Sequence, residues 1–125
     1  MTTTFQIPHG DQLVSFDGEL LGAASSEEFA KSEGRRNWHV VQIFKTTLGD
    51  YVIHKAGMTE VPGQVNRHTV HQATTPGGAV ECLQGVDDDG VVYMTFVARS
   101  ACRAAARKDI PFREAYVNRN LTPRA

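Results

Sequence analysis

A chain of 125 residues with 41% hydrophobic and 22% charged residues fits one globular domain, which excludes a disordered or fibrous class and leaves little room for a second core. No apolar run approaches the roughly 18–20 residues that cross a bilayer, and Met1–Gln6 lacks the regions of a signal peptide, so a cytoplasmic chain with no membrane partner is expected. The net charge of −1 hides a division: residues 1–98 hold six of the thirteen Lys/Arg and twelve of the fourteen Asp/Glu, leaving residues 99–125 strongly basic.

The first strand is read at Leu13-Val14-Ser15-Phe16-Asp17, where apolar and polar residues alternate up to Gly18, and Leu20-Leu21-Gly22 is too short for its periodicity to be assigned. From Ala23 to Asn37 the chain is polar. Ser25 and Glu28 have capping-box spacing and Gly34 stands where a short helix would end, so the segment reads as a loop with a helical turn.

Trp38–Lys45 and Tyr51–Lys55 are rich in aromatic and β-branched residues and flank Leu48-Gly49-Asp50, the clearest hairpin signal in the chain. With Leu48-Gly49 at its tip, Phe44 falls opposite Ile53 and Lys45 opposite Val52. Trp38, Val40, Phe44, Tyr51 and Ile53 are then expected to form one core face.

Ala56–Arg67, with Gly57, Pro62 and Gly63, reads as a long surface loop. Three further strands are expected at His68–Ala73, Ala79–Val86 and Val91–Val97, separated by the turn signals Pro76-Gly77-Gly78 and Asp87-Asp88-Asp89-Gly90. The period then changes. Ala98, Ala101, Cys102 and Ala105 recur at helical spacing to about Lys108, and Pro111 suits the first turn of a second helix that buries Phe112, Ala115 and Tyr116. The expected architecture is a single α+β domain over residues 1–125, with an antiparallel sheet of five to six strands and C-terminal helices on one face. Its ends are expected to fray at about 1–10 and 120–125.

Arg99, Arg103 and Arg107 stand four residues apart and form one ridge on a helix, which Lys108 and Arg113 extend. Such a ridge suits an acidic groove or a row of phosphates; arginines opposite an alanine face also serve simply as a solvated helix surface. Glu27, Glu28, Asp87, Asp88 and Asp89 fall in expected loops and form an acidic counterpart. Trp38, Phe44 and Tyr51 could stack nucleic-acid bases, but their strand spacing favours a core.

Metal and catalytic signals are weak. His68 and His71 could ligate zinc with Cys82 or His54, yet positions three apart on a strand point to opposite faces. Asp87-Asp88-Asp89-Gly90 lacks the alternating oxygen ligands of a calcium loop and reads as a turn. Cys82 and Cys102 have no CxxC spacing and are expected as buried thiols, a disulfide requiring Cα atoms within about 7 Å. No cofactor or metal is expected, and no nucleophile elbow, phosphate loop or dinucleotide fingerprint is present.

Phe16-Asp17-Gly18-Glu19-Leu20-Leu21-Gly22, followed by Phe44-Lys45-Thr46-Thr47-Leu48-Gly49-Asp50-Tyr51-Val52-Ile53-His54, resembles a pattern in small actinobacterial proteins of the EXLDI type, over roughly residues 14–57. Their Glu-x-Leu-Asp-Ile ending has only Lys108-Asp109-Ile110 as a counterpart. The resemblance implies a β-hairpin scaffold of bacterial, phage or plasmid origin with an accessory role, and no catalytic residues.

The expectation is therefore a non-enzymatic protein-interaction module, a phage or plasmid accessory factor that inhibits a host or cognate protein by occlusion. Its opposed charges also allow a homodimer. A nucleic-acid-binding regulator using the same ridge is the alternative, and a hydrolase or nuclease built around the histidines, recruiting His54, Glu60 or His71 for acid–base chemistry, is the third reading.

Overall fold

In the computed structural model, which describes residues 3–119, the chain opens with two antiparallel strands, β1 (Thr3–His9) and β2 (Gln12–Ser25). A short helix α1 (Glu27–Ser32) leads to β3 (Asn37–Thr46), β4 (Tyr51–Thr59) and β5 (Arg67–Ala73). Then come α2 (Pro76–Cys82), a two-residue pair β6 (Gly85–Val86) and β7 (Val92–Tyr93), and the helices α3 (Phe96–Lys108) and α4 (Ile110–Val117). The architecture is α+β: a five-stranded antiparallel meander in chain order, a small second sheet, and C-terminal helices on one face of the meander.

The meander curls until its edges meet. The Gly10 N–H donates to the His68 carbonyl at 3.0 Å, and the Val70 N–H donates to His9 Nδ1 at 2.8 Å. The curl encloses an apolar interior in which Phe5, Phe16 and Phe44 pack ring against ring at 4.8–5.6 Å, beside Ile7, Leu20, Val52 and Val70. The opposite face carries Val41, Ile43, Tyr51 and Ile53 against the helices. Both faces of the central strands are therefore buried, which is why β3 and β4 read as nearly continuous apolar runs.

The hairpin forms, but one residue out of the expected register: Phe44 pairs with Val52, Ile43 with Ile53 and Lys45 with Tyr51. A single-residue slip exchanges the faces. Trp38, Val40 and Phe44 consequently share a face with Val52, while Tyr51 and Ile53 lie on the other. The loop is longer than a two-residue tip, closed by Thr46 N–H donating to the Asp50 carbonyl at 2.8 Å and Gly49 N–H donating to the Thr46 carbonyl at 3.0 Å.

Five other expectations are corrected. Thr3–His9, expected to fray, is held by β2 through seven paired positions, with Ile7 buried. The expected loop at Ala56–Arg67 is shorter, because β4 runs on to Thr59. Of Ala79–Val86 only Gly85–Val86 is strand, and Ala79–Cys82 belong to a helix: Thr75 Oγ1 accepts from the Gly78 N–H at 3.0 Å, Pro76 opens the first turn, and Ala79, Val80 and Leu83 bury one side. Val91–Val97 likewise yields early to α3, because Met94, Val97, Ala98 and Ala101 are buried at helical spacing and Thr95 Oγ1 caps the Ala98 N–H at 3.2 Å. Ser25 and Glu28 do not form a capping box; Ser25 Oγ accepts from the Glu27 N–H at 3.1 Å. The expected fraying at 1–2 and 120–125 lies outside the described residues.

α3 lies close against the sheet for a reason legible in two places. A bulge between Leu20 and Gly22 turns two consecutive residues, Leu21 and Gly22, toward the helix. A Cβ at Gly22 would overlap the Ala101 carbonyl oxygen and lie 2.6 Å from the Ala105 nitrogen, both helix backbone atoms. Glycine on the strand and alanine on the helix thus set the approach, and α3 is placed with its other side in solvent.

Candidate functional site

On that outer side, Arg99, Arg103 and Arg107 are all exposed, as are Lys108 and Arg113. At about 1.5 Å rise per residue, successive arginines of the ridge are about 6 Å apart along the axis. At about 100° per residue, Phe96, Arg103 and Arg107 fall within about 20° of one line. Phe96 is 66% exposed, so an aromatic ring heads the ridge. None of the five cations forms an ion pair within 4 Å among the described residues, whereas Lys31, Arg35 and Lys45 all do. Lys108 Nζ instead reaches the Leu20 carbonyl at 3.5 Å.

The acidic counterpart does not assemble as one surface of free charge. Glu27 and Glu28 are on α1 rather than in a loop, and Glu27 pairs with Lys31 at 2.7 Å. Lys31 also bridges to Glu60 at 2.8 Å and lies 5.1 Å from the centre of the Trp38 ring. Asp87 Oδ1 accepts from the Asp89 and Val91 N–H groups of its own loop at 2.9 Å each, and Asp87, Asp88 and Asp89 are all exposed. This is an Asx-type turn whose geometry explains the acidic run without a ligand.

Of the histidines, His54 and His68 meet inside the curl, while His71 is on the opposite face of β5, paired with Ile53. His54 Nδ1 lies 2.8 Å from Gln42 Oε1, and His54 Nε2 lies 2.9 Å from His68 Nδ1 with the rings stacked. A carbonyl oxygen only accepts, so His54 Nδ1 carries the proton and Nε2 must accept from His68 Nδ1–H. Burial, then repulsion from His68, pushes the His54 pKa down to about 4. Glu60 is engaged with Lys31 beyond the end of β4, so His54, Glu60 and His71 do not converge. Trp38, Phe44 and Tyr51 are buried and divided between the two faces, as core residues rather than a stacking platform.

Cys102 is fully buried beside Met94, with Sγ and Sδ 3.8 Å apart, and Cys82 is half-buried; both are free thiols. No cluster of three or more His, Cys, Asp or Glu with metal-binding geometry occurs among the described residues. No helix among them is long and apolar enough to cross a membrane.

A feature missed in the sequence lies at the other end of the sheet. A cleft of about 410 Å³ opens between β3–β5 and the start of α3, with His39, Lys55 and Arg67 among its lining residues. Extending the period-two alternation of Ile53 through Lys55 and Gly57 would have placed these residues on one face. Reading Ala56–Arg67 as a loop concealed it. No protein-family model, curated protein or solved structure matches the chain.

Proposed function

We propose that the chain is a non-enzymatic interaction module that docks the outer face of α3 onto an acidic groove of a partner protein and acts by occluding it. The observation that carries this reading is the row formed by exposed Phe96 with Arg103 and Arg107, flanked by Arg99 and without a carboxylate partner among the described residues. A solvated helix face needs the arginines but not an exposed phenylalanine in line with them. Aromatic and arginine side chains together are the residues that dominate protein–protein hot spots. The rigid seating of α3 on Gly22 and the sheet supports the same reading, since a face that is already ordered loses little entropy on docking.

The test is capture from bacterial lysate with and without nuclease treatment, with Arg103→Glu and Phe96→Ser as parallel baits. A protein retained by the wild type and lost by both variants supports the module. Retention of nucleic acid alone, abolished by nuclease and by Arg103→Glu but not by Phe96→Ser, would transfer the ridge to the nucleic-acid reading, and its affinity should then fall steeply with salt.

A further inference from the structure

The cleft at the opposite end of the sheet from the helix-capped core has a composition that its fold does not require. Strand register places His39, Gly57 and Arg67 side by side in one cross-strand row, and Val41, Lys55 and Thr69 in the next. Both rows belong to the face on which Val41, Ile43 and Ile53 pack against the helical layer, but beyond Val41 that layer draws back. The facing wall is built from Leu83, Tyr93, Thr95 and Val97, and the space between is about 410 Å³, a volume suited to a small molecule.

Gly57 is the informative residue. A glycine inside a strand sacrifices packing and β propensity, and it commonly marks a close approach of backbone or ligand. No such approach exists among the described residues, where a Cβ built at Gly57 meets no atom within 4 Å. Nor does its backbone call for glycine, since Gly57 is not among the residues with positive φ. The position also lines a second hollow of about 440 Å³, shared through His39 and Arg67, so a side chain there would project into the space where the two meet. At the wall, Gly85 has the converse reason for being glycine: its Cβ would lie 2.5 Å from the Tyr93 ring, so its absence lets the phenol lie across the small sheet and reach the cleft.

The charge is one-sided. Lys55 and Arg67 line the cleft beside His39, and among the described residues no aspartate or glutamate lines it and neither Lys55 nor Arg67 has a carboxylate within 4 Å. Low, apolar walls on one side strengthen the field of such a cluster. Val41, Leu83, Val97 and Ala98 supply the apolar surface, and all four are buried. We infer that this cleft is a binding site for a small amphipathic anion, with a carboxylate, sulfonate or phosphate head over Gly57 between His39, Lys55 and Arg67 and an aromatic or branched body against Leu83 and Val97. The site is independent of the α3 ridge and stands whether or not that ridge docks a protein.

The experiment is titration of the full chain with naphthalene-2-sulfonate, followed through backbone amide NMR shifts, with 2-naphthalenemethanol and inorganic phosphate as probes lacking the charge and the body. Saturable shifts are expected at His39, Gly57, Arg67 and Gly85, with each control binding at least about tenfold more weakly. Gly57→Val places a β-favouring side chain in open space, so it should keep the native amide spectrum and thermal midpoint while weakening the sulfonate at least about tenfold. Arg67→Gln, at an exposed position, provides a second variant and should weaken the sulfonate while leaving the alcohol unchanged. Absence of shifts at millimolar probe, equal binding of the alcohol and the sulfonate, or undiminished binding to a folded Gly57→Val would each overturn the assignment.

Discussion

Tyr51 donates its phenolic proton to Asp109 Oδ2 across 2.6 Å, joining the first residue of β4 to the junction between α3 and α4, 58 positions away. Asp109 Oδ1 takes Lys45 Nζ at 2.7 Å, and Oδ2 also caps α4 through the Phe112 N–H at 3.1 Å. One carboxylate therefore fixes the hairpin, the helix junction and an N-cap together. Burial alone would raise the Asp109 pKa, but the hydrogen bonds from Lys45, Tyr51 and Phe112 outweigh it and hold the group below its ordinary range. Burial, reinforced by Asp109, raises that of Tyr51.

Asp109→Asn should cost about 2–4 kcal/mol in urea unfolding, because Lys45 is left without its counter-charge and the cap is weakened. Tyr51→Phe leaves the other partners in place and should cost about 1 kcal/mol. The sign with pH follows from the lowered carboxylate value: its stabilisation is complete above the unfolded pKa of about 3.9 and is lost as pH falls through the lower folded value. Wild-type stability should therefore show a loss below about pH 4 that Asp109→Asn lacks. Equal acid profiles would remove Asp109 from this role.

Gly22→Ala is expected to be far more damaging than its single methyl suggests. The new carbon meets helix backbone at Ala101 and Ala105, which cannot rotate away as a side chain would. Overpacking of this kind costs about 1–3 kcal/mol, and moving α3 outward would also open the apolar layer beneath it. A thermal midpoint unchanged from wild type would show that the helix does not rest on this glycine.

The sequence carried the fold class, the central hairpin and both C-terminal helices, because each has a strong local signature: β-branched runs, an alanine period and Pro111 in a first turn. Face assignment was less accessible. Register depends on the Thr46–Asp50 closure, and with both faces of β3 and β4 buried no polar alternation corrects a one-residue error. The turn signals on either side of Ala79–Val86 suggest a strand, whereas Ala79, Val80 and Leu83 have the helical period. The arginine ridge was visible because a helix repeats locally, whereas the His39–Gly57–Arg67 row draws on three strands and appears only once their pairing is known.

Cys102 and Cys82 should separate cleanly by reactivity. Burial pushes the Cys102 thiol up to about 12, against a smaller opposing effect of the Arg119 charge, so almost no thiolate exists near neutrality. Ellman's reagent should label Cys82 in the native protein and Cys102 only after unfolding. Rapid labelling of both would show that α3 opens locally on the time scale of the reaction.

His54 provides the remaining pH dependence, in a different window from Asp109. Its folded pKa of about 4 lies below the ordinary imidazole value of 6.5, so the unfolded chain binds the extra proton first. Its contribution is fully present above pH 6.5 and is lost as pH falls from there to about 4, and a shift of this size corresponds to about 3 kcal/mol. Protonation would also place a second N–H against the donor on His68, since Gln42 already fixes the other ring nitrogen of His54. Unfolding free energy measured in urea should therefore decline between pH 6.5 and 4.5 in the wild type. The decline should be much smaller in His54→Gln, whose side chain does not titrate; a parallel decline in that variant would place the dependence elsewhere.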